Sequence, residues 1–96
     1  MFILVTYDVD TTTRAGAKRL RKVAKECVNY GQRVQNSVFE CVLSDAQFSI
    51  LRSLLMDTID KENDSVRFYY LGNNWTHKVE YIGKKTSFDM TEELIV

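Results

Sequence analysis

The chain has 96 residues, which is enough for one domain and too few for two. Hydrophobic residues make up 45% of it and charged residues 27%, as in ordinary globular proteins, and no apolar run reaches the ~18 residues that a membrane span needs. The first residues lack the basic lead and the small-residue cleavage site of a signal peptide. We therefore expect a cytoplasmic protein with no membrane partner.

The net charge is zero, but the cations are unevenly distributed. Six cations and no acid lie between positions 14 and 25: Arg14, Lys18, Arg19, Arg21, Lys22 and Lys25. This asymmetry favours a polyanionic partner. The alternative is an ordinary solvated helix face, since we expect these cations to lie at several angles around the helix axis rather than in one stripe.

The two cysteines and the single histidine argue against zinc. Cys27 and Cys41 are far apart and have no second thiol or histidine at metal-ligand spacing, so we expect reduced, buried thiols. His77 lies in the polar stretch "GNNWTHK" and is predicted to be a surface loop residue.

The first half of the chain predicts a strand, a helix and two more strands. Residues 2–9 are rich in aromatic and β-branched side chains, and "DVDTTT" supplies hydroxyl and carboxylate caps for a helix that runs to about Tyr30. Gly31 suits the left-handed conformation with which many helices end. The segment "RVQNSVFECVLS" then divides into a short strand at 33–35, a tight turn near Asn36, and a longer strand at 37–43.

The second half predicts a helix and two strands. "SDAQ" matches a capping box, with Ser44 as the cap and Gln47 three residues later. The helix that follows has one apolar stripe, formed by Phe48, Leu51, Leu55 and Ile59. "DKENDS" is a polar turn, "VRFYYLG" a strand and "KVEYIG" a short final strand, so we expect one domain at 1–83 and an acidic tail at 84–96.

The predicted order is βαββαβ with one extra C-terminal strand. In a chain of this length that order indicates an α+β, ferredoxin-like sandwich, with both helices on one face of an antiparallel sheet. Both faces of the strands carry bulky groups, for example Phe2 and Leu4 on one and Ile3 and Val5 on the other. A second copy of the chain would cover the remaining face, so we expect an isologous homodimer.

Asp8 and Asp10 end an apolar strand, where unpaired carboxylates are unfavourable. Asp10 has the simpler explanation of a helix cap. Asp8 is either a structural acceptor or a ligand of a hard cation such as Mg²⁺. Two copies of Asp8 across a dyad would make a better site than one, and the ion held there would lower the pKa of a bound water and orient a phosphodiester.

The combination of "YDVD", a basic first helix, and "RVQNSVFE" before a capped second helix resembles the small CRISPR-associated proteins of the Cas-two family, over residues 1–83. The resemblance implies a homodimer that acts in spacer acquisition, bridges the Cas-one integrase and binds double-stranded DNA. It also implies Mg²⁺-dependent endonuclease activity on DNA or on single-stranded RNA.

The site residues implied by the resemblance are Asp8 as metal ligand, preceded by Tyr7, and the motif residues Arg33, Ser37 and Phe39. We expect Tyr7, Arg33 and Phe39 to place the nucleic-acid backbone rather than to move protons. The predicted nucleic-acid contacts are Arg14, Lys18, Arg19, Lys22 and Arg33. Without the motif, Phe39 is a core residue and Arg33 a solvated cation.

Two other functions remain open at this stage, and the sequence argues against a third. The chain could be an architectural DNA-binding adaptor for the integrase with an idle aspartate pair, or a toxin-type ribonuclease of the virulence-associated protein D kind. An RNA-recognition module would need a glycine-rich signature with stacking aromatics, and "NSVFECVL" has no glycine.

Overall fold

A computed structural model of the chain describes residues 1–71 and 78–84. Its elements follow the predicted order: β1 (Phe2–Asp8), α1 (Arg14–Val28), β2 (Gln32–Gln35), β3 (Val38–Val42), α2 (Asp45–Thr58), β4 (Ser65–Tyr70) and β5 (Lys78–Gly83). His77 and residues 85–96 of the predicted acidic tail lie outside the described residues. Neither α1 nor α2 is long and apolar enough to cross a membrane.

The five strands form one antiparallel sheet in the order β2-β3-β1-β4-β5, which places β1 at its centre. Thr6 lies opposite Val38 on one side and Arg67 on the other. The pairing of β1 with β4 ends at Asp8, which lies opposite Ser65.

The core lies between one face of the sheet and the two helices. Along β1, Ile3, Val5 and Tyr7 are buried and share a hydrophobic cluster with residues of α1 and α2. The residues between them point to the other face, because side chains of a strand alternate in direction. On that face Leu4 is partly exposed and Asp8 is exposed.

The start of α1 differs from the prediction for Asp10. The helix cap is Thr13, whose side-chain oxygen accepts a hydrogen bond from the backbone N–H of Gly16 at 3.0 Å. Oδ1 of Asp10 instead accepts from the backbone N–H and the hydroxyl of Thr12, at 3.0 and 2.7 Å. The predicted carboxylate cap is therefore wrong, because three residues separate Asp10 from the first helical residue. The predicted capping box of Ser44 and Gln47 is confirmed.

The end of α1 also differs from the prediction. The helix stops at Val28, and the backbone N–H groups of Tyr30 and Gly31 both donate to the carbonyl of Cys27. Gly31 does not adopt a left-handed conformation, since within the described residues only Gly83 has a positive φ. Close packing explains this glycine instead, because a Cβ would lie 2.3 Å from Sγ of Cys41.

Candidate metal and nucleic-acid site

Asp8 lies at the exposed end of the central strand, on the sheet face that the helices do not cover. It lines a pocket of about 230 Å³ together with Asp10, Asn63, Ser65 and Lys84. Asp10 is held in a fixed position in this pocket, since its Oδ1 accepts two hydrogen bonds from Thr12. Hydrogen bonds from the backbone N–H and then the hydroxyl of Thr12 hold the pKa of Asp10 below its ordinary value.

The donor chemistry of this pocket fits a hard cation, since two carboxylates of one chain, Asp8 and Asp10, line it. Carboxylate oxygens are the protein ligands that Mg²⁺ prefers, and it keeps several waters when one or two carboxylates bind it. Among residues 1–71 and 78–84, no group of three His, Cys, Asp or Glu side chains could hold a metal ion. Among the described residues, the other carboxylate of a site built on Asp8 would therefore be Asp10 of the same chain or the Asp8 of a second copy.

The face around Asp8 carries apolar side chains, as the sequence predicts. Phe2 and Val42 lie opposite each other in the β1–β3 pairing and are 38% and 79% exposed. Leu4 lies between Glu40 and Tyr69 at the middle of the sheet. We call this surface the open face, defined by Phe2, Leu4, Thr6, Asp8, Val38, Val42, Arg67 and Tyr69.

The structure brings Tyr7, Phe39 and Arg33 together, but on the opposite side of the sheet from Asp8. The rings of Tyr7 and Phe39 stack with centroids 6.1 Å apart, and the guanidinium of Arg33 lies 5.1 Å from the centroid of Phe39. The Tyr7 hydroxyl donates to the carbonyl of Asn36 at 3.2 Å. Burial and the neighbouring Cys27 raise the pKa of Tyr7, and Arg33 partly opposes this rise.

The burial of Tyr7 and Phe39 contradicts the prediction that these two side chains position the nucleic-acid backbone. Phe39 is fully buried and Tyr7 is 5% exposed, so neither side chain can contact a phosphodiester bound at Asp8. Ser37 takes part through its backbone, because its carbonyl accepts from the N–H of Tyr7 at 3.1 Å. The motif therefore fixes β1 against the β2–β3 hairpin, and only Arg33 of this group is exposed.

Five of the six cations of α1 lie in one stripe, so the expectation of scattered angles holds only for Arg19. At about 100° of rotation per residue, positions 14, 18, 21, 22 and 25 fall within an arc of about 100°. We call these residues the α1 basic stripe: Arg14, Lys18, Arg21, Lys22 and Lys25, all of them exposed. Four of the five line one surface groove, and Lys18 and Lys22 also line the groove between α1 and α2.

Arg19 lies outside this stripe and has a different partner. Its Nε lies 2.7 Å from Oδ2 of Asp64, a carboxylate with no exposed surface. Because the guanidinium already binds the carboxylate of Asp64, it is less available for the phosphate contact that the sequence predicts. Asp64 itself was missed, because "DKENDS" has the composition of a solvated turn and its partner is 45 positions away.

The two cysteines are free and buried, as expected. Burial, followed by the nearby Cys41 and Glu26, raises the pKa of Cys27 to about 12. Burial also raises the pKa of Cys41. Neither is therefore a thiolate at neutral pH, and both serve as small core residues.

Comparison with known proteins identifies the family to which this chain belongs. The family model described as CRISPR associated protein Cas2 matches residues 1–79. The chain is 57% identical to the CRISPR-associated endonuclease Cas2 of Halalkalibacterium halodurans, over 99% of both chains. It is 54% identical to the CRISPR-associated endoribonuclease Cas2 of Chlorobaculum tepidum, over 100% of both chains.

A solved structure shows the same fold. The crystal structure of Streptococcus pyogenes Cas2 matches with a TM-score of 0.71 at 61% identity, covering 78% of this chain and 90% of that chain. The architecture is accordingly ferredoxin-like, as predicted. The chain belongs to the Cas2 family, which is the Cas-two family of the sequence resemblance.

Proposed function

We propose that this chain is a homodimeric, magnesium-dependent endonuclease that binds nucleic acid in CRISPR spacer acquisition. The observation that carries the proposal is the position of Asp8, an exposed carboxylate at the end of the central strand on an apolar, open sheet face. The names of the two relatives support nuclease activity. They differ in whether the activity is called endonuclease or endoribonuclease, so both DNA and RNA are candidate substrates.

The open face supports the dimer. Its apolar side chains would be covered by the same face of a second copy, and an isologous interface brings residues near the dyad against their own counterparts. A dyad near the end of β1 would bring two Asp8 carboxylates together. Together they would provide two carboxylates for one Mg²⁺, which binds through one or two carboxylates and keeps several waters.

The residues of the chain then have separate tasks. Asp8 holds the divalent cation and offsets its charge, while the α1 basic stripe binds phosphates away from the reacting bond. When bound, the ion supplies Lewis acidity for the phosphodiester and lowers the pKa of a coordinated water. The stripe makes no base contacts by this account, so it binds nucleic acid with little sequence preference.

The experiment compares the parent chain with Asp8→Asn on single-stranded RNA and double-stranded DNA, with and without Mg²⁺. The amide keeps the shape of the carboxylate and removes its charge, so cleavage should be lost while the dimer and nucleic-acid binding persist. Asp45→Asn, which changes an exposed carboxylate at the start of α2, is the control and should cut like the parent. Cleavage by Asp8→Asn at the parent's rate would show the mechanism to be wrong.

A second candidate is an architectural adaptor that holds DNA for the Cas-one integrase without cutting it. The α1 basic stripe favours this function, because a row of cations binds phosphates without any catalytic group. Spacer acquisition in cells separates the two. The adaptor function requires that Asp8→Asn acquires spacers as the parent does, while loss of stripe cations reduces acquisition.

A further inference from the structure

Asp64 is a fully buried carboxylate that precedes the cross-strand partner of Asp8. Its Oδ1 accepts a hydrogen bond from the backbone N–H of Asp10 at 3.0 Å, and its Oδ2 accepts from the backbone N–H of Asp60 at 2.9 Å. Arg19 donates to both oxygens, from Nε at 2.7 Å and from Nη2 at 3.3 Å. One side chain thus joins the exit of β1, helix α1 and the turn between α2 and β4.

These contacts stand where the pairing of β1 and β4 stops. The last residues paired are Asp8 and Ser65. Two residues further along, the N–H of Asp10 bonds to the side chain of Asp64 instead of to a strand. The carboxylate therefore continues the connection between the two segments beyond the sheet, and it fixes the direction in which the chain leaves Asp8.

The main chain of Asp64 fixes another wall of the same pocket. Its carbonyl accepts from the N–H of Lys84 at 2.8 Å. Gly83, with φ 111°, lies so close that a Cβ there would come within 2.1 Å of this carbonyl oxygen. Every residue that lines the pocket other than Asp8 is thus hydrogen-bonded to Asp64 or adjacent to it in the chain: Asp10, Asn63, Ser65 and Lys84.

We infer that Asp64, held by Arg19, is a positioning residue of the Asp8 site. It fixes the pocket walls so that the Asp8 carboxylate meets a divalent cation and a phosphate group in one geometry. The inference rests on the proposed function, since it assigns a supporting residue to the same site. It also gives Arg19 a role other than the phosphate contact expected from its place in the basic segment.

The test uses the full chain with Asp64→Asn and Arg19→Lys. Mn²⁺ binding, followed by electron paramagnetic resonance, reports on the site without any reaction, and steady-state cleavage separates kcat from KM. For Asp64→Asn we expect about a tenfold or greater rise in the Mn²⁺ dissociation constant and a fall in kcat of about 10- to 100-fold, because small displacements of a reacting group have effects of this size. KM should stay within about twofold, since the α1 basic stripe is intact.

Arg19→Lys and a core variant provide the matched comparisons. Lysine keeps the charge but loses the planar fork, so both readouts should lie between those of the parent and of Asp64→Asn. Val23→Ala removes buried volume from α1 without touching the pocket, and it should leave Mn²⁺ affinity and kcat unchanged at a temperature where it is folded. If Asp64→Asn does not fold, Arg19→Lys decides by the same two readouts.

The outcomes distinguish the inference from the proposed function. If the parent binds Mn²⁺ and cleaves, Asp8→Asn does neither, and the Asp64 and Arg19 variants behave like the parent, the positioning role is wrong and the proposed function stands. If Asp8→Asn also binds and cleaves like the parent, the proposed function fails and the inference fails with it. Equal losses in Val23→Ala would show that Asp64 has only a structural role.

Discussion

At the scale of single residues, the ion pair of Asp64 and Arg19 is the most consequential electrostatic feature that the structure describes. Burial by itself would raise the pKa of Asp64, but hydrogen bonds from Arg19 and from the backbone N–H groups of Asp60 and Asp10 outweigh it and hold the pKa below its ordinary value of 3.8. A charge this buried is tolerated only while its partners remain, because an unpaired buried charge is strongly destabilising. The pair should therefore be visible in the pH dependence of unfolding.

We predict that Asp64→Asn lowers the free energy of unfolding at neutral pH by about 2 kcal/mol, since it removes the charge of a buried, hydrogen-bonded carboxylate while its partner Arg19 stays partly exposed. The pKa of Asp64 is lower in the folded state than in the unfolded one, so its contribution is complete above the unfolded value and disappears as the pH falls through the folded value. The gap between parent and variant should close below pH 3.8.

Urea unfolding at fixed protein concentration across the pH range measures this gap. Glu62→Gln, which removes an exposed carboxylate from the same turn, is the control and should unfold like the parent at every pH. If the difference in unfolding free energy between parent and Asp64→Asn stays constant to the lowest pH measured, the charge of Asp64 is not what stabilises the fold.

The two aspartates illustrate how far single residues can be predicted from sequence. Asp8 could be singled out because it ends an apolar strand, where an unpaired carboxylate is unfavourable. Asp64 could not, because it lies in a polar turn and its partner is distant in sequence. Tyr7 and Phe39 could be placed in a motif, but only the sheet shows that they are buried on the face opposite Asp8.

At the scale of elements, α1 depends on Thr13 for its start. The hydroxyl of Thr13 accepts from the N–H of Gly16, one of the donors that no helix can satisfy internally. We predict that Thr13→Ala lowers the free energy of unfolding by about 1 kcal/mol, as is usual for loss of a cap. Thermal unfolding measures the change, and Thr11→Ala, an exposed neighbour, should have little effect.

The α1 basic stripe carries the second prediction at this scale. If its cations contact phosphates, replacing Lys18 and Lys22 by glutamine should weaken binding and reduce the slope of log K against log salt by about 1.8, since each contact contributes about 0.9. Fluorescence anisotropy with duplex DNA at several salt concentrations measures the slope.

Lys61→Gln provides the control for that measurement, because it removes an exposed cation from the turn after α2. Its salt slope should equal that of the parent. If the Lys18 and Lys22 variant also keeps the parent's slope, or if binding depends strongly on base sequence, nucleic acid binds somewhere other than the stripe.

Most elements could be predicted because their signals are local. The capping box of Ser44 and Gln47 marks the start of α2, and runs of aromatic and β-branched residues mark the strands. The end of α1 was less predictable, because Gly31 is required by its close contact with Cys41 of β3, and a contact between distant residues leaves no local signal in the sequence. Asp10 and Thr13 are both candidate caps in the sequence, and the position of the first helical residue, Arg14, distinguishes them.

At the scale of the whole molecule, the open face makes a testable case for the dimer. We predict that Leu4→Lys converts a dimer into a folded monomer, because it places a charge at the middle of that face while leaving the core side untouched. Light scattering at low micromolar concentration measures the mass, and circular dichroism checks that the fold persists.

Ile50→Lys is the matched change for that experiment, since Ile50 is an apolar residue of α2 that is 52% exposed on another surface. It should remain a dimer. A parent chain that is already monomeric and folded would show that the open face needs no second copy.

The alternation of β1 also has a genetic consequence. Tyr7 and Asp8 are neighbours in the chain, yet one lies in the core and the other at the candidate site on the opposite face. Deletion of one codon of β1 before Tyr7 would shift part of the strand by one residue relative to its neighbours. Because side chains alternate strictly, the shifted residues would then point to the opposite face of the sheet. When a library of variants is selected for a folded, active protein, such deletions should be lost even at codons where every substitution is tolerated.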